Sequence, residues 1–142
     1  MTSTNGAMRL VLHLDPDTSS VGEARRRIDA WMAERGGATE LRDRVALVVS
    51  ELVTNAIEAS RDGVELCADR DARTGSVQVQ VSNRAPAGAV PDRRDWGPDS
   101  LMAERGRGLA IVEALSESVS VDHLADTVVV TATLAPRPGA GR

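Results

Sequence analysis

Phenylalanine, tyrosine and lysine are missing from this chain altogether. The only aromatics are Trp31 and Trp96, so the core must be built from valine, leucine, isoleucine, alanine and methionine. Two aromatics also leave no platform on which nucleic-acid bases could stack. All 17 basic residues are arginine, which excludes chemistry that needs a lysine, including the lysine of a Walker-type phosphate loop. Acidic and basic residues are interspersed and the net charge is −4, so there is no basic face for nucleic acid. A single cysteine, Cys67, rules out an intramolecular disulfide and is expected to be a small buried residue in a reducing compartment. No apolar run approaches the ~20 residues of a membrane span, and the polar start, Met1 to Ala7, does not read as a secretory leader. A cytoplasmic protein is expected.

What the chain does have is aliphatic periodicity. Its 142 residues, 42% hydrophobic, favour one domain with a substantial core. Residues 1–7 and 135–142 read as flexible tails around a single domain at 8–134. Met8 to Asp15 alternates as a first strand. A helix follows, with Ser20 and Glu23 placed as a capping box and Val21, Ala24, Ile28, Trp31 and Met32 at helical spacing before Gly36 and Gly37. A second helix is predicted from about Glu40 to about Ser60. Its apolar stripe is Leu41, Val45, Val48, Leu52, Ala56 and Ala59, and Arg44, Glu51, Asn55 and Glu58 share one polar stripe.

Val64, Leu66 and Ala68, then Val77, Val79 and Val81, alternate as a hairpin turned by Asp71 to Gly75. A long segment rich in proline, glycine, aspartate and arginine runs from Arg84 to Arg105. The glycines of Gly106 to Leu109 then lead into a third helix, with Leu109, Val112 and Leu115 inward, and a second hairpin closes the chain. His13 and His123 fall in predicted strands, where a structural role is expected. This order predicts an α+β two-layer sandwich, a mixed and mostly antiparallel sheet with helices on one face.

Glu51 and Asn55 stand four residues apart on the second helix and emerge one above the other. Either they are its solvated edge, or they address one ligand. In the second case the amide oxygen of Asn55 is a neutral hard donor suited to Mg²⁺, which usually also binds substrate phosphates. A carboxylate beside it could order a metal-bound water or take a proton from a hydroxyl. In "ERGRGL", Gly106 and Gly108 would allow close approach of backbone to a ligand, and Arg105 and Arg107 could fork onto phosphate oxygens. The same stretch could equally be a glycine-rich helix start. Asn83, ending a strand before the long segment, is either a polar group at a pocket rim or a turn residue.

Together, "ALVVSELVTNAIEAS" and "ERGRGLAIVEAL" resemble the N box and second glycine box of the GHKL ATP-binding fold of histidine kinases, type II topoisomerases and anti-sigma-factor serine kinases. The similarity covers roughly Leu10 to Leu134. It is greatest to the single-domain anti-sigma-factor serine/threonine kinases of Streptomyces and relatives. The resemblance implies a histidine-kinase-like ATPase (Bergerat) fold that binds ATP and Mg²⁺. Asn55 would be the metal ligand and Glu51 the base or water-orienting carboxylate. Asn83 would face the adenine amino group where the family usually has aspartate. Arg105, Gly106, Arg107, Gly108 and Leu109 would lie along the phosphates, with 84–105 as the ATP lid. Ala85 and Ala87 occupy the places of two family glycines.

The function so implied is an ATP-dependent protein serine/threonine kinase that phosphorylates a small antagonist protein of STAS type and sequesters a sigma factor, with no nucleic acid or membrane contact; the resemblance also allows a homodimer. The alternative is a non-catalytic, partner-binding regulator of the same fold. A histidine-kinase catalytic domain ranks third, because no dimerising helix pair with a phospho-acceptor histidine is read in the chain.

Overall fold

The computed structural model describes residues 4–5, 9–60, 62–85, 93, 96 and 103–137; for residues 4, 5 and 103–105 it describes the backbone alone. Among these residues the elements are β1 (Thr4–Asn5), β2 (Arg9–Leu14), α1 (Ser19–Glu34), α2 (Thr39–Ala59), β3 (Val64–Arg70), β4 (Val77–Arg84), α3 (Ala103–Leu115), β5 (Ser118–Leu124) and β6 (Thr127–Leu134). The strands form one sheet in the order β1-β2-β3-β4-β6-β5. Every described pairing is antiparallel, so the mixed sheet expected from sequence is wholly antiparallel here.

Period-2 alternation decides which face is covered. Leu10, Leu12 and Leu14 of β2, Val64, Leu66 and Ala68 of β3, Val77, Val79 and Val81 of β4, and Val128, Val130, Ala132 and Leu134 of β6 are all buried. The helices supply the opposing layer, with Ala24, Ile28, Trp31 and Met32 of α1, Val45, Val48, Val49, Leu52 and Val53 of α2, and Leu109 and Val112 of α3. Each fully buried valine or leucine contributes roughly 1.5–3 kcal/mol, so an aliphatic core suffices without phenylalanine or tyrosine. Among the described residues, no helix is long and apolar enough to cross a membrane.

Several local expectations are corrected. Thr4 and Asn5 pair with Val11 and Leu10, so the segment read as a tail contains a short edge strand. The capping box does not form. Helix α1 starts at Ser19 with Thr18 rather than Ser20 at the N-cap position, and Ser20 is buried inside its first turn with Oγ donating to the Asp15 carbonyl at 2.8 Å. Asp17 Oδ1 accepts from the Ser19 amide at 3.1 Å instead. Cys67 lies on the open face of the sheet, half-buried, where burial and then the nearby Glu65 carboxylate raise its thiol pKa. At the far end, the Ala135 carbonyl is held by Arg44 Nη2 at 2.6 Å, so the segment from residue 135 is tied at its first residue.

Candidate functional site

The site is built by the packing of α2 against α3. Two contacts set their relative register. At one end Arg44 Nη1 donates to the Leu115 carbonyl at 3.2 Å. At the other, Gly108 sits directly against Glu51 and Asn55. A Cβ on Gly108 would stand 2.5 Å from Glu51 Oε2 and 3.6 Å from Asn55 Nδ2. The helices therefore run antiparallel, and the glycine at 108 lets the Glu51 carboxylate occupy the space a side chain would take. The i, i+4 pairing read from sequence does bring Glu51 and Asn55 to one point.

Asn55 Nδ2 is buried and has no hydrogen-bond partner. A buried, unmet donor costs about 1–3 kcal/mol, so this amide is held at a penalty that a structural role alone does not explain. Among the described residues no hydrogen bond or ion pair engages the Glu51 carboxylate. No cluster of three or more acidic, histidine or cysteine side chains able to hold a metal occurs there. One amide oxygen beside one carboxylate suits a cation that keeps several waters and shares its other ligands with phosphates, as Mg²⁺ does. The metal end of the expected site thus fits the residues present.

The phosphate end does not fit as it stands. Helix α3 begins at Ala103, three residues before the first glycine of the motif. Only first-turn amides of an α-helix are free, so the N–H groups of Gly106, Arg107, Gly108 and Leu109 are spent on carbonyls one turn back. The expectation that these glycines precede the helix and leave their amides open is corrected. Gly106 and Gly108 are buried, Arg107 is exposed, and the Leu109 side chain is in the core. The Arg105 side chain lies outside the described residues.

Asn83 is 8% exposed and points to the helix layer from the last turn of β4, where Nδ2 donates to the Arg84 carbonyl at 3.4 Å. The pairing of Ser82 with Glu65 places this strand end beside the C-terminal end of α2, the end that carries Asn55. Arg84 spans the same corner, with ion pairs to Asp126 at 2.8 Å and Asp62 at 3.4 Å. The hydrogen-bonded Arg84 guanidinium lowers the Asp126 pKa. Arg84 belongs to β4, and Ala85 is buried with its amide bonded to the Asp126 carbonyl at 2.8 Å, so both residues extend the sheet rather than opening a lid.

Two residues of the long segment that sequence reading left without a role are fixed in place. Arg93 donates to Glu113 Oε2 at 3.1 Å and to the Val119 carbonyl, and lies 5.0 Å over the Trp96 ring. A third missed residue is Arg44, read as part of the polar stripe and found buried.

Residues 14–134 match the histidine kinase-like ATPase domain family, and the chain belongs to that family. Among solved structures it is similar to the RsbU and RsbW domains of Rv1364c from Mycobacterium tuberculosis, with a TM-score of 0.67 and 25% identity over 93% of this chain. The match spans about a third of that protein, 34% of its chain. It is also similar to the SiaB–SiaC complex from Pseudomonas aeruginosa, with a TM-score of 0.66 and 13% identity over 88% of this chain and 89% of that one. The Acinetobacter baumannii histidine kinase AdeS shares the fold, with a TM-score of 0.51 and 14% identity over 88% of this chain and 66% of that one. A comparison with curated proteins finds no match.

Proposed function

We propose that this chain is an ATP-dependent protein serine/threonine kinase of the anti-sigma-factor type, acting on a small antagonist protein and holding a sigma factor. The observation that carries the reading is the convergence of the Glu51 carboxylate and the buried, unpartnered Asn55 amide on Gly108. The likeness to a structure of RsbU and RsbW domains, with the family match, supports an ATPase- or kinase-type regulator of this fold.

Bound Mg²⁺–ATP would supply the transferable phosphoryl group. Asn55 would present its side-chain oxygen to the metal. Glu51 would accept the proton of the acceptor serine or threonine, whose oxygen takes the terminal phosphoryl group as the nucleoside diphosphate leaves. Asn83 offers an acceptor to the adenine amino group. Leu47 lies one turn before Glu51 and Ile111 one turn after Gly108, and they are 52% and 43% exposed. An apolar rim beside the carboxylate suits a protein acceptor better than a small polar one.

The test is incubation of the full chain with Mg²⁺–ATP and STAS-type antagonist proteins encoded in the same genome. Phosphoserine or phosphothreonine on one of them, read by mass, is the expected result. Absence of transfer to every candidate, together with absence of ATP binding, overturns the reading. The closed α3 amides and the alanine at position 85 favour one alternative, a non-catalytic regulator of the same fold. Under it, Asn55→Ala leaves partner binding unchanged and there is no transfer to lose.

Gly108→Ala separates folding from chemistry. The new methyl meets the far end of a flexible glutamate, which can swing aside, and alanine favours a helix over glycine by about 1 kcal/mol. The melting temperature is expected to hold or rise. Transfer is expected to fall by roughly 10²-fold, because misplacement of a catalytic group by about 1 Å has that effect. A variant with unaltered kinetics would remove Gly108 from the account of how Glu51 is placed.

A further inference from the structure

We propose that Asn83 makes the nucleobase end of this site ambivalent, so that the chain accepts 6-oxopurine triphosphates, those of hypoxanthine and guanine, alongside ATP. This rests on the nucleotide-binding reading above and deepens it by naming the substrate class.

Along β4 the side chains that face the helix layer are Val77, Val79, Val81 and Asn83, and the buried Ala85 follows. Asn83 is the one polar residue in this row, and its cross-strand partner is Val128, itself buried. A polar group in such surroundings is costly unless it is hydrogen-bonded. Asn83 makes one such bond, from Nδ2 to the Arg84 carbonyl at 3.4 Å. Among the described residues its Oδ1 accepts nothing. The amide is therefore enclosed on its apolar sides with its acceptor idle.

Nor is it fixed one way round. A distance of 3.4 Å is beyond the usual range for an N–H···O bond, so turning the amide over gives up little. Its oxygen and nitrogen have nearly the same shape, and either can be presented to a ligand.

Charge at this corner is already committed. The Arg84 guanidinium serves two carboxylates, Asp126 at 2.8 Å and Asp62 at 3.4 Å. A carboxylate at position 83 would find that cation taken, and the amide adds no charge.

The missing charge decides what a base meets. A 6-aminopurine shows a donor at position 6 beside the acceptor N1. A 6-oxopurine shows an acceptor at position 6 beside the donor N1–H. A carboxylate offers acceptors alone, so it suits the amine and repels the oxo group. An amide carries an acceptor and a donor side by side. With Oδ1 forward Asn83 would accept from the amine of adenine. Turned over, it would donate from Nδ2 to the 6-oxo oxygen.

The test is calorimetry on the full chain with Mg²⁺–ATP and Mg²⁺–inosine triphosphate. Inosine triphosphate isolates position 6, because it lacks the 2-amino group of guanine. The two dissociation constants are expected to lie within about tenfold of each other in the unmodified chain, and Asn83→Asp is expected to widen their ratio about 10- to 100-fold in favour of ATP. Asn83→Ala, which needs no charge in the apolar row, is expected to weaken both about tenfold. A preference for ATP beyond about tenfold in the unmodified chain overturns the ambivalence and leaves the kinase reading standing. An unaltered ratio in a folded Asn83→Asp, or unaltered binding in Asn83→Ala, removes Asn83 as the reader of the base and overturns it too. Absence of binding of either triphosphate overturns the nucleotide reading itself.

Discussion

Replacing Glu51 by glutamine is expected to lower phosphoryl transfer by about two to four orders of magnitude while Mg²⁺–ATP binding stays within about twofold. The substitution keeps the length and shape of a side chain packed against Gly108, so the α2–α3 contact survives. What it removes is the capacity to take a proton. No ion pair or hydrogen bond among the described residues holds the Glu51 carboxylate, so no structural bond is lost with its charge. Steady-state transfer to the unphosphorylated antagonist and calorimetric nucleotide binding, measured side by side, make the check. Transfer near the unmodified rate would remove Glu51 as the base. Equal loss of binding would make it part of the metal site instead.

The largest effect on stability is expected from Arg44→Met. Arg44 is 6% exposed, and its guanidinium donates to Glu40 Oε2 at 2.6 Å, the Leu115 carbonyl at 3.2 Å and the Ala135 carbonyl at 2.6 Å. One side chain thus ties the start of α2 to the end of α3 and to the residue after β6. Methionine fills the volume but leaves a carboxylate and two carbonyls without their donor, a loss of about 3–5 kcal/mol. For a domain of this size that corresponds to a fall in melting temperature on the order of 10 °C. Arg44→Lys is expected to recover little, because a single ammonium cannot reproduce a planar fork facing three acceptors.

Arg44's hydrogen bond also holds the Glu40 pKa below the ordinary glutamate range. The stabilisation from this pair is therefore complete at neutral pH and is lost as pH falls through that lowered value. Urea denaturation with an unchanged midpoint in Arg44→Met would refute the staple.

Both residues lie on the polar stripe visible in the sequence of α2, yet their roles were unequally legible. The four-residue spacing of Glu51 and Asn55 is a local fact of helix geometry, and the folded chain brings the pair together as the spacing requires. Arg44 shares that stripe and reads as another solvated charge. Its carbonyl partners lie 71 and 91 residues further along, so no local pattern could reveal that it is buried. Cys67 misled in the opposite direction. It sits in an apolar-looking run, but the period of two turns it to the open face between the buried Leu66 and Ala68.

The helix start at α3 was the other point where local reading failed. Gly106 and Gly108 look like punctuation before a helix, because glycine disfavours a helix interior by about 1 kcal/mol. The helix begins at Ala103 all the same. Burial of Leu109 and Val112 and the close approach to α2 outweigh a propensity of that size, and no sequence window contains the other helix.

The sequence by itself determined the two long helices, the two hairpins, their core faces and the pairing of Glu51 with Asn55, because these follow from periods of 2 and 3.6 residues along one chain. The tertiary structure alone decided that Gly108 closes over that pair, that Arg44 is a buried staple, and that Arg93 and Trp96 are fixed against α3 and β5. Each of these joins groups far apart in sequence, and their energies exist only when the packed layers bring them within a few ångströms.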